Sequence, residues 1–355
     1  MATLPAVSGH NTLIDIAKSL DPNGKVAIVA ELLNQSNEIV QYMNFIEGNL
    51  PTGHKGVVRA GLPTVTLRRF YKGVPPSKSG RDTIEDVCAM LEGRNEIDKA
   101  LADLNGNAAA FRLSEGLAFI EAMNQEFASQ IMYGNTATNK DGVLGLTPRY
   151  NAISGATNGA NIISAGGSGS DNTSVWLVVW GENTVTGIYP KGSKAGLVQE
   201  DLGVIDAFDA SNDRYRAYAE LYQWNFGLHV KDWRYAVRIA NIDVSDLTGQ
   251  TATQANTAAT WLPLLMMKAF ARIPSMGMGV ATFLANRTVK EMLGVGAVQK
   301  TVYGLTMEQA GNQFGNVTAG SVAGTGTGIK GGQLKFFGVP VLTVDQIIAT
   351  ETVVS

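Results

Sequence analysis

The sequence is short of several things that decide chemistry. It holds one cysteine, Cys88, and three histidines, His10, His54 and His229, in 355 residues. A lone cysteine excludes an internal disulfide framework and a cysteine-built zinc site, so the chain does not depend on an oxidising compartment. The histidines are far apart and form no His-x-x-x-His pair, so no metal-ligating spacing is present. Charged residues make up 17% of the chain, against roughly 25% in an average globular protein. The net charge is -3, without the basic excess that a nucleic-acid wrapper needs. The longest apolar run, 261–267, is broken by Pro263 and stopped by Lys268, far below the roughly 20 residues that cross a bilayer. Residues 1–20 carry no basic residue before Lys18 and no signal-like apolar core, so the expected compartment is a cytosol, left by lysis.

Apolar residues and glycine are plentiful: 45% of the chain is hydrophobic and 40 residues are glycine. A chain of this size with so little charge reconciles its numbers by covering neutral faces with copies of itself. The charge it does have is segregated. Lys55, Arg59, Arg68, Arg69, Lys72, Lys78 and Arg81 follow one another with no acid between Glu47 and Asp82. Val57 and Val58, then Val65, Leu67 and Phe70, predict two strands around a Gly61-Leu62-Pro63 turn, a long basic hairpin. The acids come next, Asp82, Glu85, Asp86, Glu92, Glu96, Asp98 and Asp103, and Ile84, Val87, Cys88 and Leu91 fit an amphipathic helix among them. An isolated hairpin is marginal in water, so this one is expected to lie on a partner, and its single sign points to an acidic one. These residues, Lys55 to Arg81 of the basic set and Asp82, Glu85, Asp86, Glu92 and Glu96 of the acidic set, are the candidate inter-subunit contacts.

Around this core, helical periodicity is read over 27–45 through Ile28, Leu32, Ile39 and Met43, and over 108–133 through Leu113, Leu117, Ile120, Met123, Phe127 and Ile131. Gly134 follows as a left-handed cap residue. From 142 onward the pattern is β-rich, with strands at 175–180 and 185–189, two paired strands over 214–242 meeting near Lys231-Asp232, helices at 260–272 and 288–293, and a bent terminal strand at 334–344. Cys88 sits on the apolar stripe of its segment and reads as a small hydrophobe rather than a nucleophile. Gly166-Gly167-Ser168-Gly169-Ser170 lacks the Lys-Ser/Thr of a phosphate loop, and the Gly-x-Ser-x-Gly elbow is absent. No catalytic, cofactor-binding or metal residue is assigned, and the chain is not read as an enzyme.

The order of these zones resembles the major capsid proteins of tailed bacteriophages, the Hong Kong 97-like fold, and within that family the coat proteins of epsilon 15-like short-tailed phages. The resemblance rests on the long helix 108–133 after an extended basic segment, on Gly134-Asn135 and Gly145-Leu146, on the late segment Ala281-Thr282-Phe283-Leu284-Ala285-Asn286-Arg287-Thr288, and on Gly338-Val339-Pro340-Val341. It implies an α+β fold: an N-terminal arm (1–50), an extended β-hairpin loop (51–82), a peripheral domain (83–152) with spine helix 108–133, and a mixed-sheet axial domain (153–355). The strands of 214–242 precede the final Gly-x-Pro-Val strand and are expected to join the peripheral sheet, a permuted strand order. The implied function is a structural coat subunit that forms hexamers and pentamers and an icosahedral head. The implied partners are packaged double-stranded DNA held without sequence-specific contact, a portal, a scaffold and a cement protein, with no membrane and no cofactor. Its place would be the virion, after assembly in the host cytoplasm. A second reading on the same fold is an encapsulin-type compartment shell, and a third is a soluble α/β enzyme without recognisable motif.

Overall fold

The computed structural model describes residues 35, 37–103, 108–154, 157–209, 212–248, 252–298 and 334–355. In chain order the elements are α1 (Ile39–Tyr42), β1 (Phe45–Glu47), β2 (Gly53–Gly61), β3 (Gly80–Asp98), α2 (Lys99–Asp103) and α3 (Ala108–Tyr133). They continue with α4 (Leu146–Arg149), β4 (Ile162–Ser164), β5 (Asn172–Trp180), β6 (Val185–Tyr189), β7 (Leu197–Phe208) and β8 (Arg214–Val230). The last are β9 (Ala236–Asp243), α5 (Val244–Thr248), α6 (Ala252–Arg272), β10 (Val280–Ala285), α7 (Arg287–Val298), β11 (Lys335–Phe336) and β12 (Val339–Thr343). The chain forms two compact units. Of the described residues, unit 1 gathers Gln35, 89–103, 108–127, 193–209 and 212–226, and unit 2 gathers 37–88, 128–154, 157–192, 227–248, 252–298 and 334–355.

Unit 2 is organised by β5. Its Val-Trp-Leu-Val-Val-Trp run has no polar alternation, the mark of a strand covered on both faces, and all nine residues of β5 are buried. β5 pairs antiparallel with β10 (Leu177 opposite Phe283) and with β9 (Val178 opposite Ala236). β12 extends the sheet parallel to β10, and β4 lies parallel to β9. On one face Leu177, Val179, Val237, Ile239 and Phe283 pack under Leu262, Met266 and Ala269 of α6 and Val289 and Leu293 of α7. α7 begins where Asn286 Oδ1 accepts the backbone N–H groups of Thr288 and Val289, an N-cap that satisfies donors the helix leaves open. The terminal segment is a short hairpin, β11 turning through Phe337-Gly338 into β12, rather than one bent strand.

Unit 2 also buries an ion pair. Arg238, 2% exposed, donates from Nη2 to Glu351 Oε2 at 2.9 Å, from Nε to Ser174 Oγ at 3.0 Å and from Nη1 to the Tyr150 carbonyl at 2.7 Å. Glu351 is satisfied in turn by the Tyr133 hydroxyl at 2.6 Å and by Ser174. Burial first, then the neighbouring Glu351 carboxylate, push the Tyr133 hydroxyl well above its ordinary pKa, so it stays a donor.

In unit 1, β8 lies between β7 and β3. α3 lays its aromatic side chains on β8: Phe127, fully buried, stacks on Trp224 at 4.4 Å and meets Phe226 edge-on at 4.9 Å, and Phe119 stacks on Tyr222 at 5.8 Å. The bounds of α3 are those the periodicity predicts, but its stripe is only partly covered. Met123, Phe127 and Ile131 are buried, whereas Leu113, Leu117 and Ile120 are 68%, 50% and 39% exposed.

Several expectations are corrected. The acidic segment expected as a helix is β3, followed by the short α2. Ile84, Asp86 and Cys88 point inward and Glu85 and Val87 outward; the inward carboxylate hides the period of two and leaves an apparent helical stripe. The return strand of the basic hairpin is therefore the acidic segment itself, because 62–79 holds no strand. Of the helix predicted over 27–45, the described part contains only Ile39–Tyr42; residues 27–34 lie outside the described residues. Gly134 is not left-handed; it is needed because a Cβ there would lie 2.5 Å from the carbonyl oxygens of Gln130 and Val143. The strands over 214–242 are present as β8 and β9 but do not pair with each other: β8 takes β7, β6 and β3, and β9 takes β5 and β4.

Candidate subunit interface

β2 and β3 form an antiparallel ladder from Gly53 opposite Val87 to Gly61 opposite Gly80. Beyond it, every residue from 62 to 78 is exposed. Among them Leu62 is 82%, Val65 91%, Leu67 100%, Phe70 93% and Tyr71 fully exposed. So much apolar area left in water is the signature of a surface completed by another molecule. The loop is tied to itself by Ser77 Oγ donating to the Thr64 carbonyl at 2.8 Å and Arg68 Nε donating to the Lys72 carbonyl at 3.0 Å.

The predicted contact residues fall into distinct settings. Arg68, Arg69, Lys72 and Lys78 lie in the exposed loop, with Arg59 and Arg81 exposed on the strands below it. Among the described residues none of these six has an ion-pair partner. Lys55 and Glu85 face each other across the ladder with Nζ 3.9 Å from Oε2, both about half exposed, a geometry worth little in water. Asp82, opposite Val58, is exposed. Glu92 is exposed and Glu96 half-buried, with Arg94 Nε 2.7 Å from the Glu96 carboxylate.

Asp86 differs: it is 5% exposed and fastens the root of the hairpin within the chain. Its Oδ2 takes His229 Nδ1 at 2.7 Å and the Val230 N–H at 3.3 Å, and its Oδ1 takes Arg149 Nη2 at 2.6 Å. Burial alone would raise the Asp86 pKa, but the His229 hydrogen bond and the Arg149 guanidinium outweigh it and hold the carboxyl below its ordinary range. The His54 ring lies 4.7 Å from that of His229. Its pKa is lowered, first by burial, then by His229 and Lys231, with Asp86 opposing. A Cβ on Gly56 would come within 2.8 Å of His229 Nε2, so the strand passes directly over the ring. Cys88 is half-buried and its thiol is pushed up to about 12, by burial first and the Asp86 charge second, which keeps it an unreactive thiol.

Sequence reasoning missed His229 and Arg149 as partners of Asp86, because they lie 143 and 63 residues away and no local pattern connects them. Among the described residues no group of three or more His, Cys, Asp or Glu side chains is placed to hold a metal, and no helix is long and apolar enough to cross a membrane.

The family model for major capsid protein GP7 matches residues 21–355. A chain of the near-atomic structure of bacteriophage Epsilon15 is 30% identical with a TM-score of 0.73, covering 100% of this chain and 99% of that one. The capsid of a native GTA particle is 11% identical at a TM-score of 0.44, with 63% and 96% covered. The SrpI encapsulin of Synechococcus elongatus PCC 7942 is 12% identical at 0.39, with 64% and 95% covered. No curated protein matches. With a match across nearly its whole length, an α+β fold shared with a phage structure end to end, and a hairpin whose apolar tip is left in water, the chain belongs to the major capsid protein GP7 family, the coat subunits of phage shells.

Proposed function

We propose that the hairpin over 51–82 is the clasp by which one coat subunit holds the next, in hexamers and pentamers of an icosahedral head that encloses double-stranded DNA. The observation that carries this is the run 62–78, exposed throughout, apolar at Leu62, Val65, Leu67, Phe70 and Tyr71, and basic at Arg68, Arg69, Lys72 and Lys78. Apolar side chains supply the affinity on docking, and charges without a local partner set orientation and choice of neighbour. The acidic side of the contact is assigned to carboxylates of the adjacent copy, the exposed Glu92 and the half-buried Glu96 among them. Asp86, spent inside its own chain, supports the clasp from its root.

In this reading 1–50 is the arm, 83–152 with the long helix the peripheral domain, and 153–355 the axial domain. The low net charge supports a shell that contains DNA without reading its sequence. A portal, a scaffold and a cement protein complete the head, assembly takes place in the host cytoplasm, and the chain acts as a building unit rather than an enzyme. Arg68→Glu with Arg69→Glu tests the clasp: assembly yield by sedimentation falls at low salt while the free subunit keeps its unfolding midpoint. Normal assembly of that double variant at low and high salt alike overturns the electrostatic part of the proposal.

A further inference from the structure

The root of the hairpin holds two imidazoles that its strand ladder does not require. His54 of β2 stands opposite Asp86 of β3, and two residues further, on the same face of the strand, Gly56 passes over the His229 ring. His229 is fully buried. An ionised carboxylate only accepts, so Nδ1 of His229 carries the hydrogen given to Asp86 Oδ2 at 2.7 Å. Its other nitrogen, Nε2, has no hydrogen-bond partner among the described residues, and neither has the buried Nδ1 of His54. The two rings meet edge-on, with centroids 4.7 Å apart and planes at 63°. They touch as bodies, without a hydrogen bond to hold them.

The charges around His54 suit a neutral ring and oppose an imidazolium. From β3 it faces Asp86, whose two oxygens are already taken by His229, by the Val230 N–H and by Arg149 of α4. Lys231, just past β8, faces it with like charge, and burial, His229 and Lys231 together hold its pKa below the ordinary value against Asp86. β6, which also packs on β2, brings no charged side chain. Cys88 of β3 stays a neutral thiol, and Lys55 and Glu85 pair with each other on the outer face of the ladder. We infer that the contact of His54 with His229 is an acid-released latch: on taking up a proton the His54 ring leaves His229, and the ladder opens from its Gly53 end while β5 keeps its neighbours. An opened root leaves the ring in water, where it titrates near pH 6.5, so acidification from pH 7.5 to 5 raises the opened population by at most about thirtyfold. The latch lies within one chain and does not depend on the clasp assigned to the hairpin.

Hydrogen exchange of the full-length subunit tests it, read as protection factors so that the pH dependence of the chemical step drops out. Between pH 7.5 and 5 the ladder amides of 54–58 and 82–87 are expected to lose protection by about threefold or more, within the thirtyfold that the linkage allows. Amides of β5 are expected to stay at least tenfold better protected than those of the ladder at pH 5, because the opening is local. His54→Phe keeps a ring on His229 but does not titrate, and His54→Gln removes the titration with a smaller side chain; in both, the ladder is expected to hold its protection at pH 5 within about threefold of its value at pH 7.5. A smaller loss than threefold in the unaltered chain, an undiminished loss in the two variants, or ladder amides as well protected as those of β5 at pH 5 overturns the inference.

Discussion

Removing the Glu351 carboxylate is the sharpest perturbation of the subunit's own stability. Arg238 and Glu351 are 2% and 5% exposed, and β5, which carries Ser174 between them, is buried along its whole length. In Glu351→Ala the guanidinium loses its counter-charge at a site that water does not reach, and the Tyr133 hydroxyl and Ser174 lose their acceptor. Breaking a buried pair from one side costs about 3–5 kcal/mol. At 1.4 kcal/mol per tenfold, that raises the unfolding constant by roughly two to four orders of magnitude. Replacing both partners by apolar residues of similar volume, Arg238→Met with Glu351→Leu, removes the unpaired charge and is expected to recover much of the loss. Urea unfolding of free subunits, followed by tryptophan fluorescence, reads both variants. An unchanged midpoint for Glu351→Ala, or a double variant as unstable as the sum of its singles, would refute the account of this ion pair.

The packing of α3 predicts a contrast along one helix: Phe127→Ala costs about 3–5 kcal/mol because a buried aromatic leaves a cavity, while Leu117→Ala, half exposed, stays within about 1 kcal/mol in the free subunit; equal effects on the unfolding midpoint would contradict the assigned buried face. The His54 pKa is depressed in the folded state, so the unfolded chain takes up the proton first. Its contribution to stability is full above about pH 6.5 and is lost as pH falls through the lower folded value, and His54→Gln is expected to flatten that limb of urea midpoints collected from pH 7.5 to 5. Asp86, also depressed, keeps its contribution until pH falls below about 3.8, so the two groups separate along the pH axis. A midpoint independent of pH between 7.5 and 5 would contradict the burial of the His54 ring.

How far the sequence could be read depended on whether a signal was local. The Val-Trp-Leu-Val-Val-Trp run and the 26-residue helix both announce themselves within a few residues, and the structure contains each of them. β3 did not, because Asp86 occupies an inward position that only Arg149 and His229, distant in sequence, make habitable. The α3 stripe misled in the opposite sense: periodicity reports which residues share a side, not whether anything lies against it. Charge segregation located the exposed hairpin, but periodicity misjudged the acidic run beside it, which is the neighbouring strand of the same ladder and not a helix.

That ladder also has a mechanical character. Its seven Cα pairs run from the Asp86 anchorage to the start of the loop, and their hydrogen bonds lie across the strands. A pull along the strand axis loads those bonds together in shear, whereas a force that spreads the two strands at the tip opens them one after another. The hairpin is therefore stiff in tension and compliant to splaying. For the clasp proposed above, this means that it can be eased over a neighbour while it is being seated and resists stretching afterwards.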